Sequence, residues 1–182
     1  MKKIFQFITA IAIVVPVAIS ATSEPSSEAP LLTAAAISQE IKAMPANAAV
    51  DRPLRTVAEG TANVGIFIVH RPHEPDQGCT IEHDTLVNDK TTSIFLVLDG
   101  AGTLVTGGKL ANPAPIASDD SDLKLLGTGT RGSGIQDGES RRIAAGDVVI
   151  IPAGVPHGFS AIEKNITYQV VRIDSGKVIP LK

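Results

Sequence analysis

The sequence is poor in cysteine and in aromatic residues. Its 182 residues include one Cys, one Tyr, five Phe and no Trp. A single cysteine excludes a scaffold held by several disulfides, and it excludes a zinc site made of several thiolates. So few aromatic side chains leave little from which to build a stacking platform for nucleic-acid bases or glycans.

The chain also lacks a strong charge of either sign. Lys and Arg total 16 against 19 Asp and Glu, which gives a formal net charge of −3, and there is no basic run. This balance argues against nucleic acid as a partner. Hydrophobic residues make up 43% of the chain, which is too many for a wholly disordered protein. The length suits one globular domain.

The N-terminus has the pattern of a secretory signal peptide. Lys2 and Lys3 precede a long apolar run, and small residues follow it up to Ser20. We therefore expect residues 1–20 to be removed on export. The remaining protein is predicted to be periplasmic or secreted, without a stable membrane span.

The rest of the chain divides by composition. Residues 21–31 are rich in Ser, Pro and Glu and predict a flexible leader. Residues 32–59 begin with a short helix capped by Thr33 and continue as a polar linker. Residues 60–182 contain many short β-branched runs between turn residues, which is typical of an all-β antiparallel sandwich or barrel. Within them, residues 109–138 are rich in Gly, Asp, Ser and Pro and predict a long loop insert.

Two details of the strand pattern are specific. The Asp99-Gly100 dipeptide lies between the apolar runs SIFLVLDG and GTLVTGG, which predicts a tight hairpin. The final segment, GKVIPLK, predicts an additional edge strand.

The segment GDVVIIPAGVPHGF resembles the second conserved motif of the cupin superfamily. The glycine, the Pro-x-Gly corner and the histidine of that motif are matched by Gly146, Pro152, Gly154 and His157. Such a corner turns the chain sharply at a barrel mouth, and the next strand aims the imidazole inward. The resemblance implies a cupin-type double-stranded β-helix, a jelly-roll barrel, preceded by the short N-terminal helix.

The first cupin motif departs from the family pattern. Counting back from Gly100, Leu86 and Asn88 occupy the positions of two histidines, and Ser93 occupies that of a glutamate. Only His157 remains of the four ligands that the resemblance implies. A typical cupin centre binds iron, manganese, nickel or zinc through imidazoles and a carboxylate. The chain therefore predicts either a weak divalent transition-metal site or no metal.

Residues just upstream offer a way to rebuild a metal site. Glu82, His83 and Asp84 are adjacent. Side chains alternate along a strand, so Glu82 and Asp84 would share the face of Leu86 while His83 points away. A bulge after this triplet would bring His83 inward, where it could bind a metal together with His157 and with Glu82 or Asp84. The alternative is that the triplet lies on a solvated strand face.

Other polar residues suit a site without metal. His157 is a candidate general acid or base, and Asn88 and Ser93 are candidate hydrogen-bond partners for it or for a ligand. Tyr168, on the last main strand, is a further candidate ligand contact. The alternative for His157 is a core histidine satisfied by a neighbouring hydroxyl. The remaining candidates are predicted to be solvated or surface residues: His70, His73, Arg141, Arg142 and Arg172.

Three functions follow and stay open. The lost metal ligands favour an exported protein that binds a small molecule in the barrel. The alternative is an enzyme, either a metal-dependent oxygenase or decarboxylase using His83 and His157, or a metal-free isomerase or lyase using His157. The third is an interaction protein whose loop insert contacts a partner. The resemblance also implies a homodimer formed through sheet edges.

Overall fold

A computed structural model describes residues 29–73 and 85–182 of the chain. The predicted signal peptide, most of the leader and the Glu82–His83 pair lie outside these residues. The two helices are α1 (Ala34–Lys42) and α2 (Leu123–Leu126). The strands are β1 (Val50–Glu59), β2 (Ala62–Pro72), β3 (Thr85–Asn88), β4 (Thr91–Thr106), β5 (Lys109–Leu110), β6 (Ala114–Pro115), β7 (Gly129–Gly132), β8 (Ile135–Gln136), β9 (Glu139–Ala144), β10 (Val148–Ile151) and β11 (His157–Asp174).

Two long antiparallel strands, β4 and β11, run through both halves of a barrel. One half has the order β1–β2–β11–β4–β10, and the other has the order β6–β7–β3–β11–β4–β9. The register of β11 against β4 shifts between Ile162 and Ile166, where the two strands pass from one half to the other. Such irregularities bend a sheet so that its halves face each other. The all-β jelly-roll prediction is confirmed.

The core fills the space between the two halves. Alternate residues of the strands point inward, so the apolar side chains that meet there come from distant parts of the sequence. The buried cluster consists of Phe67, Val69, Phe95, Val97, Leu104, Ile143, Ile151, Phe159, Ile166, Tyr168, Val170 and Ile179.

The hairpin predicted at Asp99-Gly100 is wrong, because β4 continues through these residues without a turn. Gly100 has φ +78°, and a Cβ added there would lie 2.0 Å from the carbonyl oxygen of Asn165. The glycine is therefore required for close approach of β4 to β11. A glycine that allows such an approach is indistinguishable in the sequence from one that allows a turn.

The predicted short helix is present as α1, and the Thr33 side chain accepts a hydrogen bond from the Ala36 amide at 3.2 Å. The segment that follows it is a strand, β1, where the sequence analysis predicts a polar linker. Charged residues and Pro53 give β1 a polar pattern. They are tolerated because, among the described strands, β1 pairs with β2 alone, at the edge of the sheet, and its register shifts just after Pro53.

Residues 109–138 are more ordered than the predicted loop insert. They contain β5 to β8 and the second helix, α2, which the sequence analysis does not predict. Strand β7 pairs with β3, and a Cβ at Gly129 would lie 2.3 Å from the Val87 carbonyl oxygen. Glycine thus allows close strand pairing here too.

The predicted C-terminal edge strand is also wrong, because no strand follows Asp174. The tail is fixed by other means: its last residue, Lys182, exchanges two backbone hydrogen bonds with Thr56. Among the described residues, no helix is long and apolar enough to cross a membrane.

Candidate functional site

His157 is the first residue of β11 and directly follows the Pro-x-Gly corner. Gly154 has φ +82°, a backbone conformation that favours glycine, and its amide donates to the Asn88 carbonyl oxygen at 2.8 Å. This bond ties the corner to the end of β3. In the sheet, His157 lies opposite Leu86 of β3 and Thr106 of β4. Residues that face each other in an antiparallel pair share a face, so Leu86 and His157 lie on the same side of the sheet, as the motif comparison predicts.

The His157 side chain is held in one orientation. It is 7% exposed, and its ring meets the Phe95 ring edge-on at 6.2 Å between centroids. Its Nδ1 atom lies 3.0 Å from the Val155 carbonyl oxygen. A carbonyl oxygen only accepts, so Nδ1 carries the proton and Nε2 is the acceptor nitrogen of the neutral ring. Nε2 has no hydrogen-bond partner among the described residues.

Burial keeps His157 uncharged at neutral pH. Loss of solvation lowers its pKa from 6.5 to about 4, although the hydrogen bond to Val155 opposes this shift. The positive charges of Arg172 and Arg71 lower the pKa further. His157 is therefore a neutral hydrogen-bond acceptor rather than a cation.

Tyr168 lies beside the same aromatic ring as His157. Its ring is 4.6 Å from that of Phe95 and 5.8 Å from that of Phe159, between centroids. Its hydroxyl accepts a hydrogen bond from Arg71 Nε at 3.2 Å. Burial raises the pKa of Tyr168, so the phenol stays protonated and retains a proton to donate. The structure thus brings two of the predicted site residues together through Phe95.

Asn88 and Ser93 are buried, but neither is hydrogen-bonded to His157. The Asn88 side-chain amide donates to the Leu126 carbonyl oxygen at 2.9 Å and holds the end of α2 against β3. Ser93 lies opposite Arg172 in the pairing of β4 with β11. Their role in ligand binding stays a prediction.

Arg172 is a member of this cluster that sequence reasoning missed. The predicted surface position is wrong, because Arg172 is 5% exposed. It donates to both carboxylate oxygens of Asp51, at 3.0 and 2.6 Å, and to the Leu125 carbonyl oxygen at 3.0 Å. Its guanidinium also lies 4.2 Å from the centre of the Phe67 ring. Asp51 is 121 residues away in the sequence, on a strand that the sequence analysis predicts as a linker.

The other histidines of the described residues, His70 and His73, form hydrogen bonds between strands and loops. His70 is buried, contrary to the predicted solvated position, and its ring nitrogens lie 2.9 Å from Thr167 Oγ1 and 3.3 Å from the Ala46 carbonyl oxygen. It thereby fixes the segment after α1 to the barrel. His73 is exposed, as predicted, and its Nδ1 lies 2.6 Å from the Ile162 carbonyl oxygen.

Within residues 29–73 and 85–182, no group of three His, Cys, Asp or Glu side chains is placed to hold a metal ion. The positive charges of Arg172 and Arg71, which lower the pKa of His157, oppose a cation there only in part, because Arg172 is paired with Asp51. The predicted site of Glu82, His83 and His157 depends on residues outside those described, and it stays a prediction.

Comparison of the sequence with protein-family models gives no match, and comparison with curated proteins gives none. Several solved structures are similar. DMSP lyase DddQ from Ruegeria pomeroyi DSS-3 is 15% identical with a TM-score of 0.42, covering 69% of this chain but only 46% of DddQ. BH2720 from Bacillus halodurans is 12% identical with a TM-score of 0.45, covering 82% of this chain and 85% of BH2720. The Cnp3 cupin domain of Schizosaccharomyces pombe is 9% identical with a TM-score of 0.44, covering 74% of this chain and 66% of the Cnp3 chain.

Identities this low concern the fold alone, and no activity passes from these proteins to this chain. The fold assignment stands on the chain itself. Two long strands shared by both halves form the barrel, and the motif from Gly146 to His157 supplies the corner at its mouth. With this topology and this motif, the chain has the cupin fold.

Proposed function

We propose that the protein binds a small molecule inside the barrel and presents the neutral His157 imidazole to it as a hydrogen-bond acceptor. The observation that carries this proposal is the bonding of the ring. Nδ1 is committed to the Val155 carbonyl oxygen, and Nε2 has no partner among the described residues. Nε2 is not among the described side-chain atoms that are both buried and unpartnered, so it is open to a partner from outside the chain. A ligand O–H or N–H group supplies that partner.

The neighbours of His157 define the type of ligand. Phe95 and Tyr168 are buried beside His157 and give its surroundings an aromatic character, and the Tyr168 hydroxyl is a second polar group there. Binding sites for small molecules generally combine an apolar wall with a few fixed polar groups. The proposed ligand therefore has a hydroxyl or amine donor next to an apolar portion.

The protonation state of His157 favours binding over acid catalysis. With a pKa of about 4, only about one molecule in a thousand carries the imidazolium at pH 7. A general acid with so small a protonated fraction is inefficient at neutral pH.

Export is part of the proposal and rests on the signal-peptide pattern of residues 1–20. An intact mass of the protein recovered from the cell envelope checks it, because cleavage after Ser20 makes Ala21 the first residue.

The binding proposal can be tested with the four histidines as probes. The protein is labelled with nitrogen-15 in histidine and screened by NMR against a library of small hydroxylated and aminated compounds. We expect binders to shift the Nε2 resonance of His157 and to leave that of His73 unchanged. His157→Phe, which keeps an aromatic ring but removes the acceptor, is expected to weaken binding about tenfold or more, since a lost hydrogen bond costs about 1.4 kcal/mol.

His73→Ala is the matched control, because His73 is exposed. Thermal unfolding of each variant shows whether it is folded, and His157→Gln, which keeps an acceptor oxygen, is expected to retain part of the affinity. Equal affinity of His157→Phe and the unmodified protein for the compounds found would refute the proposal.

A further inference from the structure

The geometry points to an interface between two copies of this chain, formed by the open edge of β10. Among the described residues, β10 pairs with β4 alone, from Val148 opposite Leu96 to Ile151 opposite Ser93. The second edge of β10 therefore has no strand beside it. An open strand edge is a template for pairing with another chain unless something protects it.

The other outer strands that the structure describes in the main sheet are protected, and β10 is not. Strand β1 carries Pro53 and charged residues, and Lys182 covers part of it by pairing with Thr56. Strand β9 carries a glutamate and two arginines, and β6 has two residues, of which one is a proline. The sequence of β10 is VVII, without charge or proline. Because charge, proline, short length and cover are what keep edges from pairing, the edge of β10 is free to pair.

The outward-facing side chains of β10 are apolar. Val149 packs against the core and Ile151 belongs to it. Val148 and Ile150 alternate with these residues and point outward, where they are 59% and 64% exposed. Leu96, opposite Val148 on β4, is also exposed. Apolar surface therefore extends from the open edge onto the neighbouring strand, and a contiguous exposed patch of this kind is typical of an interaction site.

The backbone groups of Val148 and Ile150 face the open edge. Just before β10, the Asp147 carbonyl oxygen accepts a hydrogen bond from the Val97 amide of β4 at 3.0 Å. Hydrogen-bonded residues alternate along an antiparallel pair, so every second residue after Asp147 directs its backbone groups towards β4, and the residues between direct theirs away. Val148 and Ile150 are the residues between. Their side chains and their backbone groups are thus available together.

A second copy of β10 matches this edge in backbone and in side chains. When two copies pair antiparallel about a two-fold axis at Val149, Val148 of one copy lies opposite Ile150 of the other. Both residues have their backbone groups open, so each such pair exchanges its N–H and C=O hydrogen bonds. The same register continues the outward row of Leu96 and Val148 into Ile150 and Ile94 of the other copy. Apolar pairs opposite each other stabilise a sheet.

The charge of this edge also permits a copy as the partner. The chain has a formal net charge of −3, so two copies repel each other over most of their surfaces. The four residues of β10 carry no charge. Asp147, directly before them, accepts a hydrogen bond from the Ala144 amide at 2.8 Å and lies opposite Ile151 of the other copy in this register. Like charges therefore do not face each other across the two-fold axis.

The interface is short, because β10 has four residues. We therefore expect a reversible dimer whose population rises with protein concentration. Val148 and Ile150 point away from the core, so this inference is independent of the proposed function of His157.

The test is sedimentation equilibrium of the purified protein at increasing concentration, which we expect to show a monomer–dimer equilibrium. Ile150→Lys and Val148→Glu are each expected to raise the dissociation constant at least about tenfold, because each places a charge against an apolar side chain of the other copy. Thermal unfolding of both variants should stay unchanged, since both side chains are more than half exposed. The double variant Val148→Glu/Ile150→Lys places opposite charges across the two-fold axis and is expected to recover part of the lost affinity.

Leu98→Lys is the matched control. Leu98 is exposed on the same outer face, but it lies beyond the residues of β4 that pair with β10. Loss of the dimer in Leu98→Lys as large as in Ile150→Lys would place the contact on the face of the sheet and overturn the inference. A protein that is monomeric at every concentration would also overturn it and leave the edge to a strand of another protein. A double variant that associates more weakly than both single variants would refute the antiparallel register, and with it the inference.

Discussion

Removing the carboxylate of Asp51 should destabilise the barrel strongly, because it leaves the Arg172 guanidinium buried without its counter-ion. The Arg172 side chain is 6% exposed and that of Asp51 18%, so water screens the pair poorly. Breaking a buried pair by removing one partner costs about 3–5 kcal/mol. Arg172 keeps its bond to the Leu125 carbonyl oxygen and its contact with Phe67, so we expect Asp51→Ala to cost about 3 kcal/mol, at the low end of that range.

The assay is urea unfolding of the wild type, Asp51→Ala, Arg172→Met and the double variant. A buried ion pair replaced by apolar groups often costs little, so we expect the double variant to be more stable than Asp51→Ala alone. The coupling energy of the double-mutant cycle is then about 2 kcal/mol or more. A coupling energy near zero would refute the reasoning, because it would mean that solvent screens the pair as it does on the surface.

Three further predictions follow. His157 has a folded-state pKa of about 4, below its ordinary 6.5, so the unfolded chain binds the proton more tightly. The free energy of unfolding therefore falls as the pH falls from 6.5 towards 4. Between pH 7 and 4.5, urea unfolding should show a decrease in this free energy that is about 2 kcal/mol larger in the wild type than in His157→Gln. Gly100→Ala should destabilise the protein more than Gly107→Ala. Both glycines have positive φ, but an added Cβ would meet a backbone oxygen, at 2.0 Å, at Gly100 and nothing within 4 Å at Gly107. The unfolding midpoints of the two variants test this. Elemental analysis after incubation with divalent iron, manganese, nickel and zinc should give well under one metal atom per chain. Near-stoichiometric metal that is lost in both His83→Ala and His157→Ala would instead establish the rebuilt site.

The sequence predicts the barrel and His157 because both are encoded locally. The glycine and proline spacing from Gly146 to His157 specifies a corner and the strand after it, and no distant residue is needed to recognise them. The same local reasoning fails at Gly100. There the reason for the glycine is the Asn165 carbonyl oxygen on another strand, which the sequence around Gly100 does not reveal.

Sequence patterns do not predict the charged pair of Arg172 and Asp51, because this pair also depends on a contact between distant strands. Arg172 and Asp51 come close together because β1 pairs with β2 and β2 pairs with β11. Tyr168 faces inward because the register of β11 against β4 shifts between Ile162 and Ile166. The sequence does not reveal this shift, so it does not predict which face of β11 carries Tyr168. Irregularities of this kind depend on the whole sheet, so a period of two along one strand does not predict them.

The chemistry of the barrel follows from charges that the cupin resemblance does not include. In a typical cupin centre a metal cation supplies the positive potential, held by imidazoles and a carboxylate. Counting back from Gly100 predicts Leu86, Asn88 and Ser93 at the positions of those ligands, while burial, and to a smaller extent Arg172 and Arg71, lower the pKa of His157. The positive charges of these guanidiniums favour a neutral imidazole over a protonated one. A neutral imidazole with its Nε2 available is the form that the proposed hydrogen bond to a ligand requires.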